Sequence, residues 1–187
     1  MFHQFIKFEK IARLNREIII TEKIDGTNAQ ICITEDGEFL VGSRTRWITP
    51  QDDNYGFAKW AYANKDELMT LGVGSHFGEW WGQGIQRNYS MTEKVFSLFN
   101  VSRWLNERPA CCSIVPLLYQ GKFENYGVME GVKSSLELLI KSGSQANKGF
   151  MNPEGIIIYH VASNKLFKKT IDKDEVPKIL AGGEYHE

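Results

Sequence analysis

Lys23 lies between an apolar run and a turn, in the string Thr21-Glu22-Lys23-Ile24-Asp25-Gly26-Thr27-Asn28. A primary amine at a strand end, beside a glycine that lets a ligand or a second stretch of backbone come close, can serve as a nucleophile. It does so when desolvation or a neighbouring cation favours its neutral form. Upstream, Glu17-Ile18-Ile19-Ile20 is a β-branched block; downstream, Ala29-Gln30-Ile31-Cys32-Ile33-Thr34 alternates apolar and polar as a half-buried strand does. On these residues alone, a solvated lysine ahead of a hairpin fits as well, since Asp-Gly between strands is first of all a turn signal.

The wording of the segment adds a second argument. Lys-x-Asp-Gly resembles the nucleotidyl-acceptor motif of the covalent nucleotidyltransferases, the superfamily of polynucleotide ligases and mRNA capping enzymes. The longer run from Glu22 to Asn28 is most similar to RNA ligases of the phage nick-sealing type, which often carry histidine where this chain has Asp25. The other motifs of that superfamily follow in order. Ser43-Arg44 resembles the signature after the first hairpin, implying that Arg44 clamps phosphate. Phe77-Gly78-Glu79-Trp80 resembles the Gly-Glu motif, implying that Glu79 holds the ribose hydroxyls. Phe99-Asn100-Val101 is similar to the Phe-Asp-Ile end of the aromatic strand, so Phe99 is the ring expected to stack on the base, with Phe96, of opposite parity, in the core.

Pro153-Glu154-Gly155 resembles the Glu-Gly motif, whose glutamate positions the lysine and a divalent metal, directly or through water. Leu166-Phe167-Lys168-Lys169 resembles the terminal lysine motif, usually Lys-x-Lys; Lys168 is the expected phosphate-facing and catalytic residue, with Lys169 second. A cation there would also favour the free amine of Lys23. Asn28 matches the asparagine of the RNA-ligase form, and Glu22 the residue that borders the adenine pocket.

The resemblance covers roughly residues 17 to 172 and implies an ATP-dependent RNA ligase. Lys23 would attack the α-phosphorus of ATP with Mg2+ or Mn2+ present, pass the adenylate to an RNA 5′-phosphate, and a 3′-hydroxyl would displace AMP. The partners implied are RNA ends or a nicked duplex. An ATP-dependent DNA nick ligase without an oligonucleotide-binding (OB) domain and a non-catalytic nucleotide- or RNA-end-binding module are the alternatives. About eighteen residues follow Lys169, so residues 1–187 are expected to form one nucleotidyltransferase domain without an appended OB or C-terminal RNA-ligase domain. Such a module would draw on a partner chain for part of its RNA binding.

The elements that must position these residues read as α+β, antiparallel sheets with flanking helices; the resemblance implies the ATP-grasp-like nucleotidyltransferase domain of the polynucleotide ligase type. With 187 residues, 42% hydrophobic and 24% charged, the chain suits one globular domain. A net charge of -1 argues against a bulk polycation but leaves room for a local basic face. Three cysteines without metal-ligand spacing point to a reducing compartment, and the N-terminus has no signal-peptide architecture; a cytoplasmic protein of a phage or bacterial-type host, away from membranes, is expected.

Strands are expected on both sides of Lys23, with Asp36-Gly37 turning into a third at residues 39–42, the three forming one antiparallel meander. A helix jointed near Asn64, strands at 75–82 and 95–101, a helix over 134–142 ended by Gly143, and a final hairpin at 154–170 complete the reading. The opening residues 5–11 fit a strand or a lead-in. The loop from Gly82 to Asn88 fits a nucleic-acid contact through Arg87 or no such role.

Overall fold

The β-branched block does form a strand, β1 (Glu17–Lys23), and the alternating segment forms β2 (Thr27–Ile33), but the two belong to different sheets. The expected meander is therefore corrected. β2 pairs with β3 (Phe39–Ser43) across the Asp36-Gly37 turn, and with β4 (Gly74–Gly82) on its other side. β5 (Lys94–Leu98) and the short β6 (Cys112–Ile114) complete a five-stranded sheet in the order β3-β2-β4-β5-β6. β1 sits instead between β7 (Leu117–Lys122) and β8 (Gly155–His160), with β9 (Lys165–Thr170) at the edge. All these pairings are antiparallel except β5–β6. The computed structural model describes residues 5–172 and residue 174.

Residues 24–26 carry the chain from one sheet to the other. Gly26 is needed there for space: a Cβ would lie 2.5 Å from the Trp80 carbonyl oxygen and 2.7 Å from Trp81 Cβ. No side chain fits so close to the backbone of β4.

Three apolar clusters hold the layers together. The outer face of the five-stranded sheet, with Ile31, Val41, Trp80, Phe96 and Leu98, packs on α1 (Phe57–Ala63) and α2 (Lys65–Leu68) through Phe57, Ala61 and Leu68. The joint falls at Asn64, whose side chain donates to the Trp60 carbonyl. Asp53 holds the start of α1 by accepting from the N–H groups of Ala58 and Lys59. The outer face of the four-stranded sheet presents Ile18, Ile20, Ile156 and Ile158 to Val132 and Leu139 of α4 (Glu130–Ser142). Between the sheets lie Ile19, Ile24, Trp81, Tyr89, Val101 and Val115. Each fully buried isoleucine contributes about 1.5–3 kcal/mol relative to an exposed one.

Two boundaries differ from expectation. α4 begins at Glu130 and not at Ser134, because the hydroxyls of Ser134 and Ser135 bond back to the Gly131 carbonyl from within the helix. β5 ends at Leu98, where Asn100 caps the one-turn α3 (Val101–Trp104) by accepting from the Arg103 N–H. Residues 5–13 form no strand and are exposed lead-in. Among the described residues no helix is long and apolar enough to cross a membrane.

Candidate functional site

Strand register decides which side chains meet. Lys23, the last residue of β1, pairs with Gly155, so Glu154 arrives beside it; Lys23 Nζ lies 2.5 Å from Glu154 Oε2. Both groups are largely buried, at 20% and 7% side-chain exposure. One row along, Thr21, Ile157 and Lys168 stand abreast across β1, β8 and β9. Directly paired residues share a face, as do residues two apart on a strand, so Lys168 lies on the Lys23 face.

The row between them, Glu22, Ile156 and Lys169, faces α4. Lys169 Nζ bonds Asp174 there at 2.9 Å. Glu22 Oε2 accepts from the N–H groups of Gln145 and Ala146 at 2.7 and 3.0 Å, and burial pushes its carboxyl up. Of the expected nucleotide-binding residues, the side chains of Glu22 and Lys169 are thus not brought together with Lys23.

The five-stranded sheet supplies the opposite wall. Asn28 and Glu79 are paired across β2 and β4, and the Glu79 carboxylate accepts from Gly26 N–H at 3.0 Å and Asn28 Nδ2 at 3.3 Å. It therefore braces the crossing segment just after Lys23. Beside it a recess of about 130 Å³ is lined by Asn28, Ala29, Gln30, Ser43, Arg44, Phe77 and Phe99. Three expected residues, Asn28, Arg44 and Phe99, share this recess, and Phe99 is tied to β4 by its N–H to the Phe77 carbonyl. Phe96 is fully buried. Arg46 is engaged outside with Asp52. Gln30 and Phe77 were not singled out in the sequence, although parity could have found them: each lies two residues from an expected site residue.

Arg87 was also underread. Its Nε donates to Asp25 Oδ2 at 3.1 Å, and its terminal nitrogen to the Asn152 carbonyl and Oδ1 at 3.0 and 2.9 Å. It links the Lys23 motif to the residues just before Glu154. Two residues on, the buried Tyr89 hydroxyl accepts from the Asp25 N–H at 2.9 Å. Gln86, Asn88, Tyr89 and Ser90 all have positive φ between 45° and 62°, strain of the kind that concentrates at functional sites. No local sequence pattern announces these long-range bonds.

Burial pushes the Glu79 carboxyl up to about 7, opposed by the Gly26 N–H and the Lys23 charge and reinforced by the Glu154 and Asp25 charges. Between the ordinary carboxyl range and that value the folded protein keeps a proton that the unfolded chain has released. Stability is therefore expected to fall as pH rises from about 4.5 to about 7, by on the order of 2–3 kcal/mol, and to level off above. Thermal melts across this range should show the decline in the wild type and its loss in Glu79→Gln. Parallel curves for the two proteins would mean that Glu79 is already ionised at pH 5.

Among the described residues no group of three or more His, Cys, Asp or Glu side chains forms a metal cage. Glu154 pairs with Lys23, Asp25 with Arg87, and Glu79 with the Gly26 N–H and Asn28. Few carboxylate ligands, supplemented by water and substrate phosphates, are what Mg2+ takes, so the donor set fits a hard divalent cation arriving with a nucleotide.

Comparison with known proteins gives a family and a set of similar folds. The family model described as RNA ligase matches residues 16–172. Solved structures of Naegleria gruberi RNA ligase are similar: a mutant without ligand has 20% identity and a TM-score of 0.60, over 90% of this chain and 57% of that one. A mutant with AMP and Mn gives a TM-score of 0.61 at 20% identity, over 84% and 50% of the two chains. A further mutant with ATP and Mn gives 0.61 at 20% identity, over 90% and 57%. The likeness is one of fold, and the chain spans about half the length of the structures it matches.

Proposed function

Because the chain belongs to the RNA ligase family, we propose that it joins RNA ends with ATP through a covalent adenylate on Lys23. The observation that carries this reading is the pairing of the Lys23 amine with the Glu154 carboxylate where the chain crosses between the sheets, with Lys168 on the same face. A lysine that only dissolved the surface would not be held by a buried carboxylate from a segment 131 residues away in the sequence.

In the first step Lys23 Nζ attacks the α-phosphorus of ATP; an N–P bond forms, the bond to the bridging oxygen breaks, and pyrophosphate leaves. Glu154 Oε2 orients the amine and is its nearest acceptor for the proton lost. Arg44 and Lys168 offset the charge on the phosphates, and such preorganised charge is where most of the rate is gained. Phe99 and Phe77 offer rings to the base, and Glu79 with Asn28 the acceptor and donor for the ribose. Glu154 would hold a divalent cation, Mg2+ or Mn2+, directly or through water, and the cation would supply further neutralisation of phosphate charge. An RNA 5′-phosphate oxygen then attacks the adenylate phosphorus and releases the Lys23 amine. A 3′-hydroxyl finally attacks the 5′-phosphate and displaces AMP.

We take the two sheets as one adenylation domain, with RNA contacts supplied partly by other segments or a partner chain. A reducing, ATP-containing compartment such as the cytoplasm suits the free thiols of Cys32, Cys111 and Cys112. The test is incubation with α-labelled ATP and Mg2+, a denaturing gel, and a chase with nicked RNA or nicked DNA duplexes carrying a 5′-phosphate. Label on the chain that is consumed by sealing of RNA is the expected result. Sealing confined to DNA would replace the substrate. Folded, unadenylated protein that binds ATP without covalent label would leave a binding module.

A further inference from the structure

Residues 5–16 carry a pattern that the adenylation site does not use. They read Phe-Ile-Lys, Phe-Glu-Lys, Ile-Ala-Arg, Leu-Asn-Arg: an apolar residue at 5, 8, 11 and 14 and a cation at 7, 10, 13 and 16, each at a spacing of three. Four cations face a single anion, Glu9, in a chain whose net charge is -1. Three residues per turn is the repeat of an extended polyproline-II-like strand, which would set the apolar groups along one edge and the cations along another.

The segment makes no use of its apolar groups within the described fold. Phe5, Ile6, Phe8 and Ile11 are each more than 80% exposed. Residues 5–13 make no hydrogen bond or ion pair with any described residue. The root, by contrast, is fixed. His160 Nε2 bonds the Leu14 carbonyl at 2.7 Å, and Phe123 N–H donates to the Arg16 carbonyl at 2.8 Å. Lys122 and Lys165 stand beside it, opposite Glu17 and His160 in their strands.

We propose that residues 5–16 are an arm that binds single-stranded RNA, the cations against phosphates and the phenylalanine rings against bases. This inference rests on the RNA-joining reading for the identity of its polymer. A backbone of evenly spaced charges answers evenly spaced cations, and alternating stackable rings answer bases in succession. Reach also fits. The root lies about 20 Å from Lys23, the length of β1, whereas twelve extended residues span up to about 40 Å. A strand held by the arm therefore has its end within range of Lys23.

The test uses a 5′-phosphorylated single-stranded RNA oligonucleotide, titrated with the full chain at several salt concentrations, and α-labelled ATP in parallel. The triple variant Lys7→Gln, Lys10→Gln, Arg13→Gln should lose at least about tenfold in RNA affinity at low salt, and its salt slope should shrink by about 2. Phe5→Ser with Phe8→Ser should weaken binding about fivefold or more with the slope unchanged. Both variants should label on Lys23 as the wild type does, which also shows that they fold. RNA affinities equal to wild type in both variants overturn the proposal. So does loss of binding to phosphatidylserine vesicles, or a changed oligomeric state, with RNA affinity intact: the arm would then serve a membrane surface or a second copy. Wild-type protein that fails to label on Lys23, while the arm variants still lose RNA affinity, would count against the ligase reading and leave the arm standing.

Discussion

Lys23→Ala should carry no labelled adenylate, a loss of at least about 10^4-fold relative to the wild type. The other expected cation on that face, Lys168, lies a row away on the edge strand and cannot replace an amine held at 2.5 Å from Glu154. Removing the amine also leaves a carboxylate that is only 6% exposed without its cation. A stability loss of about 1–3 kcal/mol should accompany the chemical one. Lys23→Arg separates the two effects. A guanidinium returns a cation to Glu154 and should recover much of the melting temperature, but it stays protonated and does not attack phosphorus. Covalent label on either variant would remove Lys23 from the reaction.

Gly26→Ala is expected to be nearly as damaging by a different route. The added methyl would sit 2.5 Å from the Trp80 carbonyl oxygen, 2.7 Å from Trp81 Cβ and 3.0 Å from Glu79 Cγ. Two of these belong to or adjoin the backbone of a central strand, so the crossing segment has to move. That movement lengthens the Gly26 N–H to Glu79 bond and displaces Lys23, three residues before. A stability loss of about 2–4 kcal/mol and a fall in adenylylation of at least about 100-fold should follow. Gly37→Ala is the control: nothing lies within 4 Å of its Cβ, although its φ of +85° disfavours alanine. It should cost about 1 kcal/mol and leave labelling intact. If Gly26→Ala melts and labels like wild type, the close approach to β4 is not a constraint.

Gly26 also shows where reading the sequence worked and where it stopped. The strand–Lys–turn–strand pattern was legible because apolar alternation and β-branched residues report local backbone state. That the two strands enter different sheets was not legible: Asp-Gly looks the same in a hairpin and in a crossing, and only the β4 backbone distinguishes them. The choice between Lys168 and Lys169 likewise needed pairing register, since each is one residue from the other and on opposite faces. Phe99 was located in the sequence, but the strand expected to hold it ends one residue earlier at Leu98. Glu22 carried a family role in the sequence, and the fold turns its carboxylate to the backbone N–H groups of Gln145 and Ala146, just past α4. Arg87, whose partners lie more than sixty residues away in either direction, was beyond any local pattern.

That guanidinium has a mechanical meaning. It springs from the loop after β4, in one sheet, and grips both the crossing segment and Asn152, which leads into β8 of the other. One side chain therefore ties the segment that follows Lys23 to the segment that precedes Glu154. On the proposed reading, the link spares part of the ordering cost of holding Lys23 against Glu154, because the geometry is built into the fold.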